Sequence, residues 1–187
     1  MALGIARAKG VWRNILLLLV ILPFWTSFLL RVYAWIGMMG SNSWFNRGLT
    51  SFINVFLPAA SEINSVPMMN SNFAVILVVV YSYLPFMILP LFANLEKLDY
   101  TLNEAAMDLG SRPMQVFRDV TLPLSMPGIV AGCLLVFIPA VGEFVIPDLL
   151  GGSQTLMIGR TLWNEFFNNR DWPVASAVAT ILLLVLV

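Results

Sequence analysis

Long apolar runs constrain this chain more than any other feature of its sequence. A helix crosses the hydrocarbon core of a bilayer with about 20 apolar residues. Four runs approach or exceed that length, at residues 14–36, 73–95, 120–142 and 172–187, and Arg31 is the only charged residue in them. We therefore predict an all-α, polytopic transmembrane helical bundle, in a single domain over residues 1–187, with three complete spans and part of a fourth.

Composition excludes several classes of function. Ten basic and ten acidic residues leave a formal net charge of zero, so no net field attracts nucleic acid. The chain has no histidine and one cysteine, Cys133, which leaves neither the common catalytic and metal sites nor a disulfide framework. It also lacks a glycine-rich phosphate-binding loop that ends in Lys and Ser or Thr. We predict a protein that is not an enzyme, with no catalytic or metal-binding residues and no nucleic-acid partner.

The distribution of Lys and Arg predicts which loops face the cytoplasm, because cytoplasmic loops carry more of these residues. If the N-terminus is cytoplasmic, that side holds six of them: Arg7, Lys9, Arg13, Lys97, Arg112 and Arg118. The other side holds four: Arg31, Arg47, Arg160 and Arg170. This bias places residues 96–119 in the cytoplasm.

The cytoplasmic loop contains the signals of two short helices. Thr101 and Glu104 fit a capping box that opens the first helix. Gly110 suits the left-handed end of that helix, and Ser111 with Pro113 opens the second. We call residues 101–123 the loop hairpin.

Apolar side chains recur along the loop hairpin: Leu102, Ala105, Ala106, Leu109, Met114 and Phe117. On a charged hairpin they would form apolar edges that dock into a groove on a cytoplasmic partner. The alternative is a solvated loop that packs on its own membrane ends.

The loop hairpin also carries a family resemblance. Its pattern Glu104-Ala105-Ala106, then Gly110, then Leu122-Pro123 is similar to the EAA loop of permease subunits of ATP-binding-cassette importers. Other motifs extend the resemblance over almost the whole chain: Pro23-Phe24-Trp25-Thr26, Leu84-Pro85-Phe86-Met87, Met126-Pro127-Gly128, Gly142-Glu143-Phe144 and Asn168-Asn169-Arg170-Asp171-Trp172-Pro173. Together they resemble the putrescine/spermidine (polyamine) permeases, and most of all the putrescine type.

This resemblance implies a type I importer permease of the bacterial inner (plasma) membrane with six spans, of which this sequence would lack the first two and the end of the last. It implies that the loop, residues 96–119, forms coupling helices held in a cleft of an ATPase. The coupling residues it implies are Glu104, Ala105, Ala106, Asp108, Gly110, Leu122 and Pro123. The implied partners are a second permease subunit, an ATP-binding-cassette ATPase dimer, an extracytoplasmic polyamine-binding protein and membrane lipid. ATP and Mg would be bound by the ATPase, so no cofactor is expected in this chain.

A polyamine carries ammonium groups, which need carboxylates or aromatic faces in place of water when they cross a membrane. The candidates for its path are Glu143, Asp148, Tyr81, Tyr83 and Trp35. Glu143 follows directly after the third run, and an ionisable group near membrane depth is a functional candidate by default. An ion pair between Glu143 and Arg31 is its structural alternative, and Trp35 fits an interfacial belt equally well.

We therefore expect the permease subunit of an ATP-driven polyamine uptake transporter. One alternative is a permease for another small solute, such as an inorganic anion or a metal complex. An anion path would favour Lys and Arg in the spans, whereas the spans offer Glu143 with only Arg31 to oppose it. A second alternative is a membrane assembly protein without transport, against which the loop hairpin argues.

Overall fold

A computed structural model describes residues 1–8, 10–56, 63–152 and 155–186 of the chain. Within these ranges the regular structure is helical, without a strand, which confirms the all-α prediction. Lys9, which was counted among the cytoplasmic basic residues, and Val187, the end of the fourth predicted run, lie outside the described residues.

Eleven α-helices occur in the described residues. They are α1 (Ala2–Arg7), α2 (Val11–Ile21), α3 (Phe28–Met39), α4 (Trp44–Phe56), α5 (Asn72–Glu96), α6 (Thr101–Asp108), α7 (Pro113–Val116), α8 (Leu122–Val141), α9 (Val145–Leu150), α10 (Ile158–Trp163) and α11 (Trp172–Leu186). A 3₁₀ turn, Leu22–Trp25, follows α2. Two π-helical turns, Phe117–Thr121 and Asn164–Asn168, follow α7 and α10.

Among the described residues, two helices are long and apolar enough to cross a membrane: α5, and the continuous helix Pro113–Val141 that contains α7, the first π turn and α8. A third span results if Val11–Trp25 and Phe28–Phe56 are one broken span. The apolar helix α11 has 15 residues. Helices α2, α3, α5, α8 and α11 fall on the four apolar runs of the sequence, whereas α4 lies outside them. The helix on the third run begins at Pro113, earlier than the predicted residue 120.

The first apolar run, residues 14–36, was predicted as one span but forms two helices. Helix α2 ends at Ile21, and the chain continues in the 3₁₀ turn before α3 begins at Phe28. Pro23 lies in this turn. It has no N–H to donate to the preceding helical turn, which favours a break at this place. In contrast, α5 remains one helix of 25 residues with Pro85 and Pro90 inside it, as membrane helices tolerate.

The helices pack as two units, each with its own apolar core. The first unit comprises Met1–Trp25 and Tyr83–Phe137. Its core consists of Ala2, Ile5, Ile88, Phe92 and Leu95. In this unit Gly132 allows α8 to approach α5 closely, because a Cβ at Gly132 would lie 2.7 Å from Sδ of Met87. Arg13 and Glu96 form an ion pair of 2.8 Å at the end of α5.

The second unit comprises the described residues of Thr26–Ser82 and Ile138–Val187. Its core consists of Val32, Met39, Met68, Ala74, Val75, Val78, Ile146 and Leu150. Asn46 is fully buried beside this core. Its Nδ2 donates to the carbonyl of Val66 at 2.9 Å, and its Oδ1 accepts the Val66 N–H at 3.0 Å. Asn46 thereby holds the backbone of Val66 beside α4.

Candidate functional site

The loop hairpin folds as helix, glycine turn and helix, as its sequence predicts. Helix α6 ends at Asp108, and Gly110 follows with a φ of 87°, a conformation that favours glycine. The Gly110 N–H donates to the carbonyl of Met107 at 2.9 Å, and the Ser111 N–H donates to that of Ala106 at 3.1 Å. These two bonds are the Schellman arrangement that satisfies the last carbonyls of a helix.

The helix caps differ from those predicted. Thr101 is the first residue of α6 and makes no capping bond as a cap residue; instead its N–H donates to Oδ1 of Asp99 at 3.0 Å. This backbone bond is the main reason why the pKa of the exposed Asp99 carboxyl is lowered. A bond from the Thr101 hydroxyl lowers the pKa further. Asp99 and Thr101 are both residue types that favour helix caps. The prediction of Thr101 as the cap is wrong, because Asp99 accepts the bond.

Ser111 does not open the second helix, because its N–H closes the first. Helix α7 begins with Pro113, as predicted, and the residue before it is Arg112. The Arg112 N–H donates to Oε1 of Gln115 at 2.8 Å. A glutamine three residues after the cap position thus supplies the reciprocal half of a capping box.

The outer surface of the loop hairpin is apolar at its tip. Leu109 and Met114 expose 88% and 75% of their surface. Glu104, Ala105 and Asp108 are exposed as well. These exposed apolar side chains are framed by charges, and their exposure agrees with the apolar edges that the sequence predicts.

The remaining residues that were predicted to take part in coupling lie at both sides of this tip. Ala106 is partly buried and its carbonyl takes part in the Schellman arrangement. Leu122 and Pro123 begin α8, directly after the π turn, and both are exposed. The hairpin therefore joins the membrane helix without a loop between them.

An open groove of about 600 Å³ lies beside the loop hairpin within the first unit. It is lined by α1, α6 and the start of the third long helix, and includes Arg7, Tyr100, Glu104 and Phe117. Asn103 and Thr121 line it too, although both are buried. Sequence reasoning missed these two residues, and their buried position in a charged segment leaves no periodic signal.

Glu143 is 7% exposed and lies just before α9 in the second unit. Its Oε1 accepts the N–H groups of Val145 at 2.9 Å and Ile146 at 3.2 Å. The carboxylate therefore caps the backbone of α9. Gly159 packs against the main chain here, because a Cβ at Gly159 would lie 2.6 Å from the carbonyl oxygen of Glu143.

Asp148, the second candidate carboxylate, has a cationic partner. Nε of Arg160 lies 3.4 Å from its Oδ1. The same guanidinium donates from Nη1 to the carbonyls of Gly152 at 3.1 Å and Thr155 at 3.2 Å. Arg160, which lies in α10, thus contacts α9 through Asp148 and also holds the carbonyls of Gly152 and Thr155. Sequence reasoning missed this role.

Two of the three aromatic candidates lie together. The rings of Trp35 and Tyr81 meet edge to face with centroids 5.3 Å apart, and both side chains are partly buried. Tyr83 belongs to the first unit, where its ring centroid lies 6.2 Å from that of Phe86. An aromatic pair offers a negative ring face to a cation, so Trp35 and Tyr81 form the stronger candidate.

A second aromatic group was missed from the sequence. The rings of Phe144 and Trp163 stack in parallel with centroids 4.1 Å apart, and Phe167 lies 4.1 Å beyond Trp163. The π turn Asn164–Asn168 includes Phe167.

In the described parts of the chain, no group of three or more Cys, Asp or Glu side chains could hold a metal ion.

The whole chain, residues 1–187, matches the family described as binding-protein-dependent transport system inner membrane component. It is 45% identical over 189 residues to the spermidine/putrescine transport system permease protein PotB of Haemophilus influenzae, covering 100% of this chain and 64% of that protein. PotB of Escherichia coli (strain K12) is 41% identical over 182 residues, or 97% of this chain and 64% of the relative. The molybdenum transport system permease protein ModB of Mycobacterium bovis is 31% identical, and the match covers 100% of this chain and 66% of ModB. The chain thus spans less than two thirds of the length of either PotB.

Proposed function

Since the chain belongs to the family of binding-protein-dependent transport system inner membrane components, we propose that it is a permease subunit of an ATP-driven polyamine uptake transporter. As a member of this family it is a multi-pass protein of the inner membrane. The proposed cargo is putrescine or spermidine, which the names of both PotB relatives contain. The proposed partners are a second permease, an ATPase dimer that binds ATP and Mg, an extracytoplasmic polyamine-binding protein and membrane lipid.

The loop hairpin is the observation that carries this proposal. Its exposed tip, with Leu109 and Met114, supplies an apolar contact for a cytoplasmic partner. Its second helix continues as the long apolar helix Pro113–Val141. A movement of the partner when it binds ATP would therefore reach a membrane helix directly. Such a movement would shift the permease between states that open to opposite sides of the membrane.

Reconstitution tests the proposed function. The complete subunit, purified together with its second permease and ATPase, is placed in vesicles with ATP inside and the binding protein outside. We expect uptake of labelled putrescine or spermidine that requires ATP hydrolysis. A complex whose ATPase activity is intact but which moves neither amine would contradict the proposal.

A permease for an inorganic anion is the second candidate, but the comparisons do not favour it, because the chain is 31% identical to ModB, a protein named for molybdenum transport, and 45% identical to PotB. The same vesicles separate the two functions when labelled molybdate replaces the amine. We expect polyamine uptake without molybdate uptake, because the identity to PotB is higher. The reverse result would assign the chain to the second candidate.

For the substrate path we propose Glu143, Asp148, the pair of Trp35 and Tyr81, and Tyr83. The substitution Glu143→Gln is informative because the glutamine Oε1 can still accept both N–H bonds at the start of α9. The substitution removes the negative charge of the side chain, and with it the charge attraction to an ammonium group. Since a hydrogen bond to a charged group contributes about 1.5–3 kcal/mol, we expect polyamine transport to fall about tenfold or more, as measured by uptake in vesicles.

The control for this variant is Arg31→Gln combined with Glu143→Gln. If Glu143 only balances the charge of Arg31, removing both charges should restore transport. If Glu143 contacts the cargo, the double variant should remain slow. Recovery of uptake in complexes with normal ATPase activity would refute cargo contact by Glu143.

A further inference from the structure

A buried polar contact joins α6 to the foot of α8. The Thr121 hydroxyl donates to Oδ1 of Asn103 at 3.3 Å, across 18 positions of sequence. Asn103 is 6% exposed and Thr121 is 3% exposed. Asn103 is the buried residue of α6, whose other side chains are exposed or partly buried. A buried amide that faces a buried hydroxyl is costly unless the two remain paired.

A π-helical turn brings Thr121 to this contact. The turn Phe117–Thr121 closes with the Leu122 N–H donating to the carbonyl of Phe117. One extra residue in a helical turn rotates the following residues by about 100° relative to a regular α-helix. The Ser125 hydroxyl then donates to the Thr121 carbonyl at 2.6 Å, which holds the backbone where the π turn ends. Such turns inside α-helices often occur at functional sites.

The Gly110 turn explains why a second connection is needed. A Cβ at Gly110 would have no atom within 4 Å, so no packing around Gly110 itself holds this residue in place. Helix α6 has eight residues, and a helix of that length has little stability of its own. A force on α6 could therefore be absorbed by bending at Gly110 before it reached α8.

We infer that Asn103 and Thr121 are positioning residues that make the first helix of the loop hairpin and the membrane helix α8 move together. This inference rests on the proposed function, because it concerns the transmission of ATP-driven movement to transport. It assigns the coupling to a buried side-chain contact in addition to the exposed surface of the hairpin. Neither residue needs to contact the ATPase or the cargo.

The test compares Thr121→Val with Thr121→Ser in the assembled transporter. Valine keeps the shape of the side chain and removes its hydroxyl, whereas serine keeps the hydroxyl. Thr180→Val is the matched control, because Thr180 lies in α11 and its hydroxyl bonds only within that helix, to the Ser176 carbonyl. The measured quantity is the amount of amine moved per ATP hydrolysed in reconstituted vesicles.

We expect Thr121→Val to lower this ratio about two- to twelvefold, the range that corresponds to the loss of one net hydrogen bond. ATP hydrolysis itself should persist, and Thr121→Ser and Thr180→Val should keep the ratio of the unmodified protein. An unchanged ratio in Thr121→Val would overturn the inference. Equal losses in Thr121→Val and Thr121→Ser would overturn it too, because the methyl contact and not the hydroxyl would then matter.

Hydrogen exchange separates this inference from the proposed function. The amides of α6 are compared in the purified complex of the unmodified protein, Thr121→Val and Thr121→Ser. We expect the α6 amides to exchange faster only in the valine variant. This result should not depend on which solute the complex transports, or on whether it transports any. If the unmodified complex moves no polyamine and this pattern appears, the function proposal fails and the mechanical contact stands. Equal exchange in all three proteins would refute the contact, even in an active transporter.

Discussion

Gly110 provides a graded test of the loop hairpin. Its φ of 87° lies in the left-handed region, where a residue with a Cβ costs about 1–2 kcal/mol more than in the right-handed region. A Cβ there would touch nothing within 4 Å, so Gly110→Ala tests the backbone strain alone. Gly110→Asn should cost less, because asparagine tolerates this conformation better than other residues.

Gly110→Pro adds two further losses. The proline ring holds φ near about −65° and cannot reach the observed value. The substitution also deletes the N–H that donates to Met107 at 2.9 Å, a bond that contributes about 1 kcal/mol net. The turn must therefore be rebuilt, and the eight-residue helix α6 has little stability to resist that change.

We expect the amine moved per ATP hydrolysed to fall in the order asparagine, alanine, proline, with the proline variant close to uncoupled. Binding of the amine to the external binding protein should not change. Gly48→Ala is the matched control, because Gly48 lies inside α4 and a Cβ there also meets nothing within 4 Å. Undiminished uptake in the proline variant, or equal losses for alanine and proline, would refute the reasoning.

Two further predictions concern stability. The bonds from Thr101 lower the pKa of Asp99, so their contribution is present above the unfolded value of about 3.9 and is lost as the pH falls through the folded pKa. Asp99→Ala should therefore speed exchange of the Thr101 amide at neutral pH, and equal rates in the two proteins would contradict this. Gly159→Ala would place a Cβ 2.6 Å from the carbonyl oxygens of Gly142 and Glu143, and we expect a loss of about 1–3 kcal/mol; an unchanged melting temperature would contradict the close packing.

Local signals in the sequence predicted the hairpin well. Gly110 and Pro113 each restrict the backbone at their own position, so their roles can be read without knowledge of the rest of the fold. The caps were less certain, because Asp99 and Thr101 are both capping residue types and only the folded backbone selects between them. The first apolar run shows the same limit of local signals. Helix α5 continues through its two prolines, whereas the first run breaks at the 3₁₀ turn that contains Pro23.

Contacts between distant positions were not predictable from the sequence. The bond between Asn103 and Thr121 spans 18 positions, and the bonds between Asn46 and Val66 span 20. Neither pair lies within one continuous helix, so the helical period cannot reveal either contact. Polar residues in apolar surroundings could be recognised as candidates for buried bonds, but the partner of each depends on how the helices pack.

The two candidate carboxylates of the second unit show how such contacts change a functional argument. Both were selected because they are acidic and close to membrane depth, yet Glu143 already accepts two backbone N–H bonds and Asp148 already faces Arg160. If the chain transports a polyamine as proposed, an ammonium group of the cargo must share or displace these partners. Loss of transport after a carboxylate is removed has two physical explanations, a lost cargo contact or a disturbed α9. The edge-to-face pair of Trp35 and Tyr81 has no charge to balance, so its contribution to a cation path can be tested independently of both carboxylates.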